Sequence, residues 1–175
     1  MADTPTLTMV IGGATSGKSS FAEQFVIGQG GPRSYIATAQ AFDPEMEAKI
    51  ASHKFARADD GWHTVEAPVD IAKALDNITN GPVLIDCATM WLSNLLLAEH
   101  DIDSATSDLL ATVKDHPNPI TVVTNEVGHG VVPDNALSRK FTSVQGRFNS
   151  ALAAQADCVF LVTAGLPLAL KGTLP

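Results

Sequence analysis

The chain predicts an α/β fold, a mostly parallel sheet with helices on both faces, from three observations. Short apolar runs rich in β-branched residues alternate with longer segments of helical period. Most of those runs are apolar at every position rather than every second one, as strands buried on both faces of a parallel sheet are. Glycine and proline clusters fall between the runs, where the chain has to turn.

The elements follow in order. Leu7 to Ile11 reads as the first strand, and 17–28 as a helix stopped by Gly28 and by Gly30-Gly31-Pro32. Ser34 to Thr38 is the second strand. The segment 43–57 opens as a helix does, with Asp43 as N-cap, Pro44 at the first position and acidic residues in the first turn. His63 to Val65 is a short strand and 69–78 a helix, after which Asn80-Gly81-Pro82 introduces the strand Val83 to Cys87. Helices at 88–99 and 104–115 precede the breaker His116-Pro117-Asn118-Pro119 and the strand Ile120 to Thr124. A helix at 134–156 and the strand Cys158 to Val162 complete the alternation. The tail from Gly165 to Pro175 has two prolines and no clear period, and is left unassigned.

At 175 residues, with 45% hydrophobic and 17% charged residues, the chain is read as a single domain, 1–175, able to bury its own core. Its net charge of −8 is a poor platform for a nucleic-acid duplex, so no nucleic-acid partner is expected. Attraction for a small anion would have to come from local groups: a helix N-terminus, one or two cationic side chains or a divalent metal. Cys87 and Cys158 lie in apolar runs without metal-ligand spacing and read as buried structural thiols. The beginning of the chain lacks the features of a signal peptide and no run is long enough for a membrane span, so a cytoplasmic protein is expected.

The strongest motif is Gly12-Gly13-Ala14-Thr15-Ser16-Gly17-Lys18-Ser19, which satisfies G-x-x-x-x-G-K-[ST] between a strand and a helix. The glycines let backbone N–H groups curl around phosphate oxygens at the helix N-terminus. Lys18 brings a mobile charge to the β- and γ-phosphates, and the Ser19 hydroxyl is a ligand for Mg²⁺. A carboxylate is needed near that metal, and Val83-Leu84-Ile85-Asp86 supplies one at the end of a buried strand. Taken alone, Asp86 is equally a cap for the helix starting at Ala88; the phosphate loop in the same chain favours the metal or substrate role. No Asn-Lys-x-Asp guanine-reading motif is present, so the loop leaves the base open.

In 43–57, Met46, Ile50, His53 and Arg57 fall on one helical stripe. A neutral imidazole is a competent nucleophile towards phosphorus, and a guanidinium one turn away can hold a phosphate with two hydrogen bonds. On the stripe alone, a half-buried helix histidine is the plainer alternative. His100 and His116 read as surface residues, while His129, between two glycines, is within the range of a substrate contact. Trp91, flanked by Leu92, Leu95 and Leu96, reads as packing a helix on the sheet, and Trp62 is left without a role.

Over nearly its whole length the sequence resembles the bifunctional adenosylcobinamide kinase/adenosylcobinamide-phosphate guanylyltransferase family of cobalamin biosynthesis. The resemblance rests on motifs in a shared order: residues 12–19; Tyr35-Ile36-Ala37-Thr38-Ala39; Glu45-Met46 with Ile50, His53 and Arg57; Trp62 to Pro68; Leu84-Ile85-Asp86-Cys87 with Trp91-Leu92-Ser93-Asn94-Leu95; Val123 to Gly128 with Gly130 to Pro133; and Gly165-Leu166-Pro167-Leu168. It implies a RecA-like P-loop NTPase fold, a homo-oligomer that is often a trimer, and two reactions. A nucleoside triphosphate, ATP or GTP, first phosphorylates the hydroxyl of the aminopropanol arm of adenosylcobinamide. GMP is then transferred from GTP onto that phosphate, through a guanylyl-histidine whose matching residue is His53.

By the same resemblance the nucleotide contacts are Gly12, Gly13, Ala14, Thr15, Ser16, Gly17, Lys18 and Ser19; Ala37, Thr38 and Ala39; Lys54, Phe55, Ala56 and Arg57; Glu66; and Asp86, with Ser19 and Asp86 towards Mg²⁺ and with Lys18 and His53 catalytic. Position 15 is Thr where many members carry Arg, so phosphate affinity leans more on Lys18 and the metal. A P-loop kinase that performs only the phosphorylation, with His53 structural, is the rival among enzymes. A nucleotide-dependent switch protein is the rival outside them.

Overall fold

The computed structural model describes residues 5–40, 48 and 61–175. Strands β1 (Leu7–Gly12), β2 (Arg33–Ala37), β3 (Trp62–Glu66), β4 (Val83–Asp86), β5 (Ile120–Asn125), β6 (Cys158–Thr163) and β7 (Leu166–Lys171) form one sheet in the order β3-β2-β4-β5-β1-β6-β7. Every pairing is parallel except β6 with β7. Among the described residues the helices are α1 (Lys18–Gly28), α2 (Ile71–Asp76), α3 (Ala88–Leu97), α4 (Ile102–Asp115) and α5 (Ala136–Gln155). The expected helix over 43–57 lies almost wholly outside the described residues.

Side-chain alternation along each strand separates two cores, one on each face. Val10, Leu84, Val123 and Phe160 point to the face covered by α1, where they meet Ala22 and Val26. Met9, Ile11, Ile85 and Val122 point the other way, to the face covered by α2 through α5. Trp91 is 2% exposed there; its indole N–H donates to the Val69 carbonyl (2.6 Å) and its ring meets Phe148, so it joins helix to helix and helix to loop. The central strands are buried along their length, whereas β3 is an edge strand and largely exposed.

Three expectations change. The tail is a strand: Ala164 (φ 52°) and Gly165 (φ 78°) are both left-handed, as a two-residue hairpin that follows the sheet twist requires, and the chain returns antiparallel along β6. Pro167 obscured it, because a strand with a missing N–H is admissible at a sheet edge and β7 is one. His116 is half-buried rather than on the surface, its ring within hydrogen-bonding distance of the Leu75 and Asn118 carbonyls, so it ties the turn before β5 to α2. Cys87 and Cys158 are free thiols, as expected, but only partly buried.

Candidate active site

In a parallel sheet the strands end together, and here the carboxyl edge gathers most of the candidate residues. Gly12 of β1 lies opposite Asn125 of β5 and Val162 of β6, while Ala37 of β2 lies opposite Asp86 of β4 and Glu66 of β3. The alternation that sends Val10, Leu84 and Tyr35 towards α1 sends Gly12, Asp86 and Ala37 there too. The phosphate loop and Asp86 therefore share one face, over the N-terminus of α1.

Gly12 admits no side chain, since a Cβ would run into the Val162 carbonyl and the Ser16 hydroxyl. Gly17 has φ 91°, and a Cβ there would stand 3.1 Å from the Cα of Gly165 in the β6–β7 turn, whose N–H donates to the Ser16 carbonyl (2.8 Å). The hairpin thus braces the loop from outside. α1 starts with no side-chain cap and no acid in its first turn, whereas α4 and α5 are capped by Asp101 and Asn135. Its first N–H groups and dipole are left for an anion. The Lys18 ammonium, largely buried, lies on the Gly13 carbonyl at 3.2 Å, inside the curve of the loop.

Asp86 accepts a hydrogen bond from the Tyr35 hydroxyl on Oδ2 (2.8 Å), and among the described residues none engages Oδ1. It is not the cap of α3. That position belongs to Cys87, whose sulfur accepts from the Met90 N–H. Burial of the sulfur, with the Asp86 carboxylate beside it, pushes the Cys87 thiol up to about 11, so it stays protonated near neutrality. Ser19, in the first turn of α1, and Asp86 are suited to Mg²⁺, which takes one or two protein oxygens and completes its shell with phosphate and water. No cluster of three His, Cys, Asp or Glu side chains able to hold a metal occurs among the described residues.

The loop after β2 is held just as firmly. Thr38 is fully buried, its hydroxyl donating to the Cys87 carbonyl and accepting from the Cys87 N–H, both at 2.8 Å, and Asn94 donates to its carbonyl. The Thr38 side chain is committed inward; Ala37 and Ala39, half-buried, flank it at the edge. His129 is exposed, in the segment that follows β5. Of the predicted residues, Gly12 to Ser19, Ala37, Thr38, Ala39, Glu66 and Asp86 stand along this edge. His53, Lys54, Phe55, Ala56 and Arg57 lie outside the described residues. Tyr35 and Asn125 entered the sequence reading only as members of shared motifs, with no role of their own, because which strands are neighbours decides their surroundings.

The model of the cobinamide kinase / cobinamide phosphate guanyltransferase family matches residues 8–170. The chain belongs to this family. The bifunctional adenosylcobalamin biosynthesis protein CobP of Pseudomonas aeruginosa is 41% identical over 168 residues, covering 94% of this chain and 96% of that protein. CobU of Salmonella typhimurium, with the same descriptive name, is 38% identical over 182 residues, covering 94% and 99%. Among solved structures, a type III secretion ATPase covers 94% of this chain and 56% of its own at a TM-score of 0.52 and 13% identity. A Pyrococcus horikoshii protein covers 97% and 87% at 0.55 and 10% identity. These likenesses bear on the fold alone, and the fold is RecA-like. As a member of the family the protein is an enzyme of two transfers, a kinase and a guanyltransferase, and it carries the phosphate-loop motif of nucleotide-binding proteins. Among the described residues no helix is long and apolar enough to cross a membrane.

Proposed function

We propose that residues 1–175 act as one domain that phosphorylates adenosylcobinamide and then guanylylates the product, giving adenosyl-GDP-cobinamide. The observation that carries the reading is the meeting of the Lys18 loop, the uncapped N-terminus of α1 and Asp86 on one sheet face, in a chain matched by the family over residues 8–170. In the first step the arm hydroxyl of the substrate attacks the terminal phosphorus. The β–γ bridging oxygen leaves with the nucleoside diphosphate, and the hydroxyl proton passes to solvent. Loop N–H groups and Lys18 stabilise the charge that gathers on the transferred group and on the leaving oxygen. Ser19 and Asp86 would hold Mg²⁺, which neutralises phosphate charge when bound.

In the second step a neutral ring nitrogen of His53 attacks the α-phosphorus of GTP and pyrophosphate leaves. The phosphate of the substrate then displaces the histidine and takes the GMP. Lys54, Phe55, Ala56, Arg57, Glu66 and the run Ala37, Thr38 and Ala39 are assigned to the nucleotide, with ATP or GTP as phosphoryl donor. The enzyme is assigned to the cytoplasm as a homo-oligomer, trimeric as its family resemblance implies, with no nucleic-acid partner.

GTP labelled at the α-phosphate tests the reading. A covalent protein adduct, labile in acid and stable in base, that discharges onto cobinamide phosphate is the expected result. Transfer of label from the γ-position alone, with no adduct, would reduce the protein to a kinase.

A further inference from the structure

The acceptor hydroxyl has to reach the terminal phosphorus between the phosphate loop at the end of β1 and Asp86 at the end of β4, and β5 is the strand that lies between those two. The segment that leaves β5 therefore borders the place where the acceptor enters. It runs over residues 126–135, up to the start of α5.

Both ends of this segment are fastened. At its start the Glu126 N–H donates to the Gly12 carbonyl of the phosphate loop (3.0 Å), and the Gly128 N–H donates to the Glu126 carboxylate. At its end the Arg139 guanidinium, from the first turn of α5, donates to the carbonyls of Pro133 (3.0 Å) and Asp134 (2.6 Å). The Asn135 side chain accepts from the Ser138 N–H (2.7 Å) and closes the helix cap.

Between the two fastenings stand Val131, 95% exposed, and Val132, 77% exposed, the two most open of the large apolar side chains among the described residues. A single apolar side chain on a surface is ordinary. Here two neighbours are held out into water beside the site, and Leu137, half exposed in the first turn of α5, follows them. The other exposed apolar row, Leu166, Leu168 and Leu170, belongs to β7, on the far side of the phosphate loop from Asp86. Valine is stiff about χ1, so covering it costs little rotamer freedom.

The acceptor of the proposed function is a bulky macrocycle with methyl groups and amides along its rim, and only its aminopropanol arm is slender enough to enter the phosphate loop. The ring has to lie on the surface beside the entrance. Its cobalt(III) centre leaves it cationic, which suits a chain of net charge −8 that carries Glu126 and Asp134 in this same segment. We infer that Val131 and Val132 form the bed on which the corrin ring of adenosylcobinamide rests while its arm reaches the terminal phosphate. The inference rests on the corrinoid substrate of the proposed function and adds the surface that selects it. The two valines bind and position the ring, and they take no part in the bond that breaks.

The test uses the double variant Val131→Ser with Val132→Ser, the single variant Val131→Ser, and Leu168→Ser on β7 as a control of similar character. Binding of adenosylcobinamide is measured by equilibrium dialysis, read from the colour of the corrinoid, with Mg²⁺ and a β,γ-methylene triphosphate analogue present. The double variant is expected to weaken corrinoid binding and raise the KM for adenosylcobinamide by about 10-fold, and the single variant by less. Because the contact is the same in the ground and transition states, kcat and the affinity for the triphosphate analogue stay within about 2-fold. Leu168→Ser binds the corrinoid as the wild type does. Unchanged corrinoid affinity in the double variant, an equal loss of nucleotide affinity, or the same loss in Leu168→Ser would each overturn the inference. A double variant that sediments as a smaller species than the wild type would give the valines to an interface between copies of the chain and overturn it as well. Failure of the substrate reading shows elsewhere: a wild type that binds the triphosphate analogue but no corrinoid would sink that reading and the bed with it, whereas failure of the bed alone shows only in the variants.

Discussion

Asp86→Asn separates a residue that serves the chemistry from one that serves the fold. The replacement keeps the shape, so the Tyr35 hydroxyl, in a side chain 4% exposed, still has an oxygen to donate to. What changes is the charge of that acceptor. A hydrogen bond to a charged group contributes about 1.5–3 kcal/mol and a neutral one about 0.5–1.5, so the expected loss of stability is about 1 kcal/mol. No helix cap is lost as well, since α3 is capped by Cys87. For a domain of this size about 1 kcal/mol lowers Tm by roughly 2–4 °C. Activity is another matter: withdrawing one charge from a preorganised phosphate and metal site costs about 10²–10³ in kcat. The assay pairs thermal unfolding with initial rates of phosphoryl transfer across a magnesium titration. A small shift in Tm, a deep loss of rate and a partial recovery at high magnesium are expected. Full turnover with an unchanged magnesium dependence would refute the placement of Asp86 at the metal, whatever the melting curve did.

Four further outcomes are expected. Lys18→Ala removes both half-reactions, because both need the triphosphate held and its charge neutralised; turnover at the wild-type rate would exclude the loop as the active centre. His53→Ala abolishes the α-labelled adduct and the guanylylated product while phosphorylation of adenosylcobinamide continues, and Ser52→Ala and His63→Ala keep the adduct; an adduct that survives in His53→Ala places the nucleophile elsewhere. Gly12→Ala forces a methyl group against the Val162 carbonyl and the Ser16 hydroxyl, so it lowers stability by about 1–3 kcal/mol and weakens nucleotide binding in calorimetry; unimpaired binding would show that the loop can yield there. Asp157 receives hydrogen bonds from the Leu7 N–H and from Thr6, which hold its carboxyl below the usual range. Its contribution to stability is complete above the unfolded value near 3.8 and is lost as pH falls through the lower folded value. Asp157→Asn should therefore melt below the wild type at pH 7, with the gap closing under acid; a gap independent of pH would contradict this.

Much of this protein is written locally. The order of strands and helices follows from periodicity and breakers, which are properties of a short window, and within the described residues the predicted spans agree with the observed ones to within two or three residues. The phosphate loop is equally local, because eight consecutive residues build the cradle and their own backbone N–H groups line it. Contacts between distant segments are not local in that sense. Asp86 could be placed at the end of a strand from Val83-Leu84-Ile85, yet nothing along the chain told that Tyr35 would face it, since that required β2 to be the neighbour of β4 in one particular register. The same holds for Asn125, which lies opposite Gly12 only because β5 enters the sheet between β1 and β4, and for Gly165, which becomes a brace of the loop only once β7 folds back on β6. Pro167 and His116 misled for one reason: their types describe an average environment, and the fold gave one a sheet edge and the other a pair of carbonyls. A window of sequence carries the preferences of its own backbone and the pattern of its own side chains. Which strands become neighbours, in which register, is decided by the burial of whole faces against one another, and that free energy belongs to no single window.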